Sequence, residues 1–298
     1  MQLHDRAGTN ASSEPVVFKL YHYDPTIVGS AVFAILFAAT TLMHVWQLYR
    51  GRSWFLIPLT VGGLLEVIGY AARCKSGNET PDWTLGPYII QSIFLLVAPA
   101  LYAATIYMEL GRIVTLVDGE GHVLIAKKWM TKIFVAGDVF SFILQAGGGG
   151  YQSSGSLEAL QNGAKVIIGG LFVQLIFFGI FIVIAVAFHR SIWNSPTGRS
   201  NSGVPWKKHM IALYVGSMLI MVRSVFRAIE YLQGFDGYLL SHEAYLYIFD
   251  AVLMFLVMIL FNWIHPSEVT QILNEREAGK SYSMEAFSEG HQRLGSSV

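Results

Sequence analysis

The sequence predicts an all-α, polytopic membrane protein: a bundle of seven transmembrane helices, with the N-terminus outside and the C-terminus in the cytosol. Three observations carry this. The 298 residues are 53% hydrophobic and only 13% charged, whereas soluble domains carry about 25% charged residues. Mean hydropathy is +0.48. Apolar runs of roughly the 20 residues that cross a bilayer recur seven times, with basic residues gathered in alternate loops. The chain divides into an extracytosolic segment (1–24), a membrane domain (25–265) and a cytosolic tail (266–298).

The first run, Thr26–Tyr49, follows a polar stretch with Asp5, Arg6, Glu14 and Lys19, so no cleavable signal peptide is expected. The second, Trp54–Ala72, leads to Arg73 and places Gly62, Glu66, Gly69 and Arg73 on one helical face, where small residues beside a carboxylate admit a neighbouring helix. The third, Leu85–Met108, holds Gln91 and a kink-forming Pro99. In the fourth, Thr131–Gly149, Asp138, Ser141, Gln145 and Gly149 form a stripe, and the run Gly147-Gly148-Gly149-Gly150 is expected to loosen the helix end or to pack closely. No Gly-Lys-Ser/Thr follows it, so it is not read as a phosphate cradle.

The fifth run, Ala164–Phe188, carries Gln174. Ser191–Val204, with Pro196, Gly198 and Gly203, reads as a flexible cytosolic loop. The sixth run, Met210–Leu232, sets Arg223, Arg227 and Glu230 on one face. A charge in hydrocarbon costs at least about 2.5–3.5 kcal/mol, so that face must meet acidic or polar partners inside the bundle. The seventh run, Glu243–Ile264, aligns Glu243, Tyr247, Asp250 and Met254. Pro266–Ala278 suits a short surface helix, and Lys280–Val298 a disordered tail.

Orientation follows from the loops. Arg50 and Arg52, then Arg112, Lys127 and Lys128, then Arg190, Arg199, Lys207 and Lys208 lie on one side, and that side reads as cytosolic. Two N-glycosylation patterns, at Asn10 and Asn78, fall on the other.

The polar set of Glu66, Arg73, Gln91, Asp138, Gln145, Gln174, Arg223, Arg227, Glu230 and Asp250 is biased to the outer half of the predicted spans. If the stripes converge, they line a cavity open to the outer side. Buried Arg–carboxylate pairs also serve simply as register marks between helices, and for any one pair the two readings are evenly matched. Taken together, the ten residues are the candidate substrate pathway.

Glu66-Val67-Ile68-Gly69-Tyr70-Ala71-Ala72-Arg73, Leu96-Val97-Ala98-Pro99-Ala100-Leu101-Tyr102-Ala103-Ala104 with Gly111-Arg112, Asp138 through Gly149, Arg223 through Glu230, and Glu243 through Asp250 resemble, in order, spans two, three, four, six and seven of the RTA-like, lipid-translocating exporter family of fungi. The resemblance implies a seven-span, mostly plasma-membrane protein that moves, or protects against, amphipathic molecules.

A transporter or translocase of lipid-like amphiphiles is therefore the leading expectation, with membrane lipids or amphipathic small molecules as partners and no cofactor. Without a P-loop, movement would run downhill or be coupled to protons through a carboxylate such as Glu66 or Asp138. The alternatives are a seven-span receptor or sensor and a resistance protein that does not itself transport. The receptor triplet and Asn-Pro-x-x-Tyr are missing, and the one cysteine, Cys74, cannot form an intrachain disulfide. An enzyme is not expected: His44, His189, His209, His242 and His265 lie near span ends without a one-helix zinc pair, so no metal site is assigned. Lys+Arg and Asp+Glu balance at 20 each, which gives no reason to expect nucleic acid.

Overall fold

The computed structural model describes residue 21 and residues 23–152, 156–234 and 237–279. The Asn10 glycosylation pattern, most of the segment 1–24 and the tail 280–298 lie outside the described residues. Among the described residues, seven helices are long and apolar enough to cross a membrane. They are α1 (Ile27–Gly51), α2 (Ile57–Asn78, entered through a 3-10 turn at Trp54–Leu56), α3 (Leu85–Leu116), α4 (Lys127–Gln152), α5 (Leu157–Asn194), α6 (Trp206–Leu232), and a seventh span built of three pieces. Those pieces are α7 (Glu243–Leu246), a π turn (Tyr247–Val252) and α8 (Leu253–Trp263). A further helix, α9, occupies 267–279.

Most helices outrun their predicted spans. Hydropathy marks only the apolar stretch, while backbone hydrogen bonding carries each helix on through its polar ends: α2 continues from Ala72 to Asn78, and α3 from Met108 to Leu116. The glycine run does not loosen α4, which stays helical to Gln152. Gly148 explains why: a Cβ there would lie 2.7 Å from the Gly163 carbonyl oxygen and 3.0 Å from the Ile167 nitrogen, so α4 and α5 touch backbone to backbone.

The 191–204 stretch is tied down rather than loose. Its first residues finish α5. Thr197 then donates to the Val117 carbonyl (2.5 Å), and the Trp206 indole donates to the Ser200 carbonyl (3.1 Å).

The buried core is centred on α3, whose Tyr102, Ile106, Tyr107, Leu110 and Ile113 have no exposed surface. α1 sits at the periphery, with Val28, Ile35 and Leu42 among its well-exposed residues. At the end where α3 and α5 finish, α9 is docked rather than free. Arg276 pairs with Asp118 (2.7 Å), and Glu268 is met by Lys208 (2.8 Å) and His209 (3.2 Å). His209 also reaches the buried Glu109 at 3.3 Å. The candidate site lies at the opposite end, where α1, α3, α5 and α7 begin.

Candidate functional site: an amphipathic cavity at the N-terminal end of the bundle

A cavity of about 310 Å³ opens among α3, α4, α6 and the seventh span. Leu85 and Leu96 on α3 both line it, so it runs roughly 16 Å along that helix at 1.5 Å per residue. Its mouth is bounded by Tyr21, Tyr88, Leu239 and His242, and its floor by Arg223, Asp250 and Phe142.

The floor is built by two departures from regular helix. Pro99 has no N–H, so the Leu95 carbonyl four residues earlier loses its helical donor. Arg223 supplies one instead: its Nη2 donates to the Leu95 carbonyl at 2.8 Å, while its Nε donates to Asp250 Oδ1 at 2.5 Å. Asp250 lies in the π turn, which interrupts the regular register of the seventh span where the carboxylate faces α6. Both side chains are about 5% exposed. One turn along α6, Arg227 pairs with Glu230 on its own helix at 2.6 Å and lies over the Tyr231 ring.

A second polar knot closes the side toward α1 and α2. Arg73 is fully buried and bonds Glu243 (2.6 Å) and the Tyr23 hydroxyl (2.9 Å). Its guanidinium carbon stands 5.5–5.9 Å from the ring centroids of Tyr21, Tyr23 and Tyr247. Glu243 in turn accepts from the backbone nitrogen (2.9 Å) and the hydroxyl of Thr26, which fixes the entry to α1. Tyr21 donates to Gln91 (2.8 Å) and packs edge-on against Tyr88 and Trp83, so the chain before α1 forms part of the cavity wall.

The remaining wall is apolar. Ile89 and Ile93 of α3 face into the cavity yet are 42% and 38% exposed, and Phe142, Ala146 and Gly149 of α4 stand across from them. Ser92 and Gln152 interrupt this wall, and so does Gln145. Its amide nitrogen donates to Ser141 (2.7 Å) and Gln174 (3.2 Å), and Ser141 donates to the Gly170 carbonyl (2.6 Å), a network that also joins α4 to α5.

Of the ten residues read from the sequence as a pathway, Arg73, Gln91, Gln145, Arg223, Arg227, Glu230 and Asp250 line this one cavity. Gln174, Glu66 and Asp138 do not. Gln174 stands behind Gln145. Glu66 is buried one layer further in: among the described residues its Oε1 has no hydrogen-bond partner, and Arg223 and Asp250 lie within electrostatic reach. Asp138 sits in a separate nest, accepting from Tyr107 (2.9 Å), whose ring packs against Phe134, Phe178 and Phe181. The single shared hollow expected for all the acidic stripes is thus a cavity with two acids set apart from it. Periodicity gives the face of a helix but not which neighbour that face meets.

Tyr21, Tyr23, Tyr88, Ser92 and Tyr231, and Glu243 as the partner of Arg73, are not among the candidates read from the sequence, where His242 figures only in discounting a metal site. The Leu95 carbonyl was findable, since it stands four residues before Pro99.

The family described as "RTA1 like protein" matches residues 59–272. Protein RTA1 of Saccharomyces cerevisiae is 39% identical over 269 residues, 82% of this chain and 84% of that protein. Protoporphyrin uptake protein 1 of the same yeast is 38% identical, covering 82% of this chain and 91% of that protein. More distant is the sphingoid long-chain base transporter RSB1 of S. cerevisiae, 25% identical over 81% of this chain and 72% of its own. No solved structure matches. The chain is a multi-pass membrane protein that belongs to the RTA1-like family.

Proposed function

We propose that the protein translocates lipid-like amphiphiles, holding the polar head in the cavity while the tail stays in the apolar bundle or the adjoining lipid. One observation carries the reading: within a single 310 Å³ space, the ion pairs Arg223–Asp250 and Arg227–Glu230 face an apolar wall of Ile89, Ile93 and Phe142. That volume is at the small end of ligand pockets, enough for a head group and little chain. Two wall residues, Ile89 and Ile93, keep 42% and 38% of their surface exposed, so the apolar wall remains open to a tail.

Lipid-related transport is the function that the family's named relatives support. The cluster of basic residues at the far end of the bundle supports a cytosolic C-terminus. The cavity then opens to the outer side, most simply at the plasma membrane. The protein acts without a catalysed reaction and without a cofactor.

The test is reconstitution in liposomes with a panel of labelled amphiphiles bearing cationic, anionic and neutral heads. Wild-type protein is expected to move at least one of them, and Arg227→Ala to slow it at least tenfold. Wild-type rates in Arg227→Ala and in Gln145→Ala would remove the cavity from the path. Binding without movement would favour a sensor.

A further inference from the structure

We propose that Glu66 is a proton carrier coupled to the cavity: when a cationic head takes Asp250, Arg223 turns to Glu66, and Glu66 gives up a proton. The idea rests on the amphiphile reading above for its ligand and goes beyond it in naming the ion exchanged.

The geometry points there for three reasons. Glu66 is 1% exposed, and among the described residues its Oε1 has no partner and the neighbouring Tyr70 and Tyr102 hydroxyls are buried without partners too. An ionised carboxylate so placed is unsupported, so in this arrangement Glu66 is the neutral acid. Second, Arg223 has a charge-independent anchor in the Leu95 carbonyl (2.8 Å), about which the rest of the guanidinium can choose between two carboxylates. Third, the two carboxylates differ in access: Asp250 lines the cavity and Glu66 does not. Only Asp250 meets a ligand; only Glu66 is insulated from one.

The charges balance in both states. Before binding, Arg223 and Asp250 cancel beside neutral Glu66. With a cationic head on Asp250, Arg223 would be a buried charge without a counter-ion, and ionised Glu66 restores neutrality. One cation enters and one proton leaves. The titratable and charged groups around Glu66 are Tyr70 on its own helix, Tyr102 on α3, Arg223 on α6 and Asp250 in the π turn. α1 brings the Phe37 ring against Tyr70 and the Thr41 hydroxyl close to Gly63, neither of which titrates. An anionic head would instead occupy Arg223, leave its pairing with Asp250 broken, and give Glu66 no part.

The test is titration calorimetry of the full chain in non-ionic detergent with dodecyltrimethylammonium, whose charge is fixed, in buffers of different ionisation enthalpy at one pH. Wild type is expected to release about one proton per ligand, with affinity rising up to about tenfold per pH unit. Glu66→Gln is expected to bind more weakly and release close to none. Glu66→Met, of similar volume, serves if the glutamine variant is not monodisperse. No release by wild type, net uptake, or equal release by the Glu66 variants would overturn the proposal. Flux of the same amphiphile in liposomes keeps the two readings apart. Flux without proton release overturns the exchange alone, release without flux overturns transport alone, and no binding to folded wild type overturns both.

Discussion

Replacing Arg73 with glutamine removes the guanidinium that joins α2 to the seventh span and to the chain before α1. The carboxylate left behind, Glu243, loses a 2.6 Å partner but keeps the Thr26 donors and 14% of its side-chain exposure. Breaking a buried pair from one side costs about 3–5 kcal/mol, and the partial hydration of Glu243 favours the lower end. Three tyrosine rings also lose their cation, adding about 1–2 kcal/mol in all. The expected destabilisation is therefore about 4–5 kcal/mol, or a fall in apparent melting temperature of about 10 °C at roughly 2 °C per kcal/mol. Heating the detergent-purified protein and following the monodisperse peak by fluorescence size-exclusion reads this out. Glu243→Gln should also destabilise, and the double variant should lose less than the sum by about 0.5–3 kcal/mol, the coupling of a contacting pair. A melting temperature within 2 °C of wild type for Arg73→Gln, or strict additivity, would refute the reasoning.

The glycine run separates packing from looseness. Gly148→Ala forces a Cβ against the Gly163 carbonyl and should cost about 1–3 kcal/mol in the same heating assay, whereas Gly147→Ala, with nothing within 4 Å, should be neutral or stabilising by up to about 1 kcal/mol. Asn78 is exposed at the end of α2, so expression in a glycosylating host should give a glycosidase-sensitive mobility shift that Asn78→Gln reduces; a shift left wholly intact would contradict an external α2–α3 turn unless Asn10 accounts for all of it. The hydroxyl (2.6 Å) and amide (3.1 Å) of Thr84 donate to Glu79 and hold its carboxyl below the usual carboxylate range. The contact is complete above the ordinary carboxylate pKa and is lost as pH falls through the lowered one. Hydrogen exchange at Thr84, corrected for intrinsic rates, should therefore quicken in acid for wild type and be insensitive to pH in Glu79→Gln.

The seven spans were legible because each apolar run is long and bounded by charge. The charged stripe of α6 was legible too, since a charge in a spanning helix must face protein. What the sequence withheld has a physical cause. In lipid both faces of a helix are apolar, so hydrophobic contrast does not say which way a stripe is turned. Glu66 and Asp138 share the spacing logic of Asp250 yet face Arg223's far side and the Tyr107 nest. Tyr21 and Tyr23 escaped notice because they lie outside any span, in a segment that hydropathy ranks as a tail. The π turn at Tyr247–Val252 leaves no mark in the periodicity, and it is this turn that carries Asp250.

The central claim is that the head of the transported amphiphile rests in this cavity. Photo-crosslinking with an amphiphile carrying a diazirine beside its head group, followed by mass-spectrometric mapping of the adducts, tests it most directly. Adducts are expected on Tyr88, Ser92, Gln145 and Tyr231, which line the cavity, and an excess of unlabelled amphiphile should suppress them. Labelling confined to Val139, Phe140 and Ile143, on the exposed face of α4, and unaffected by competitor would contradict the account.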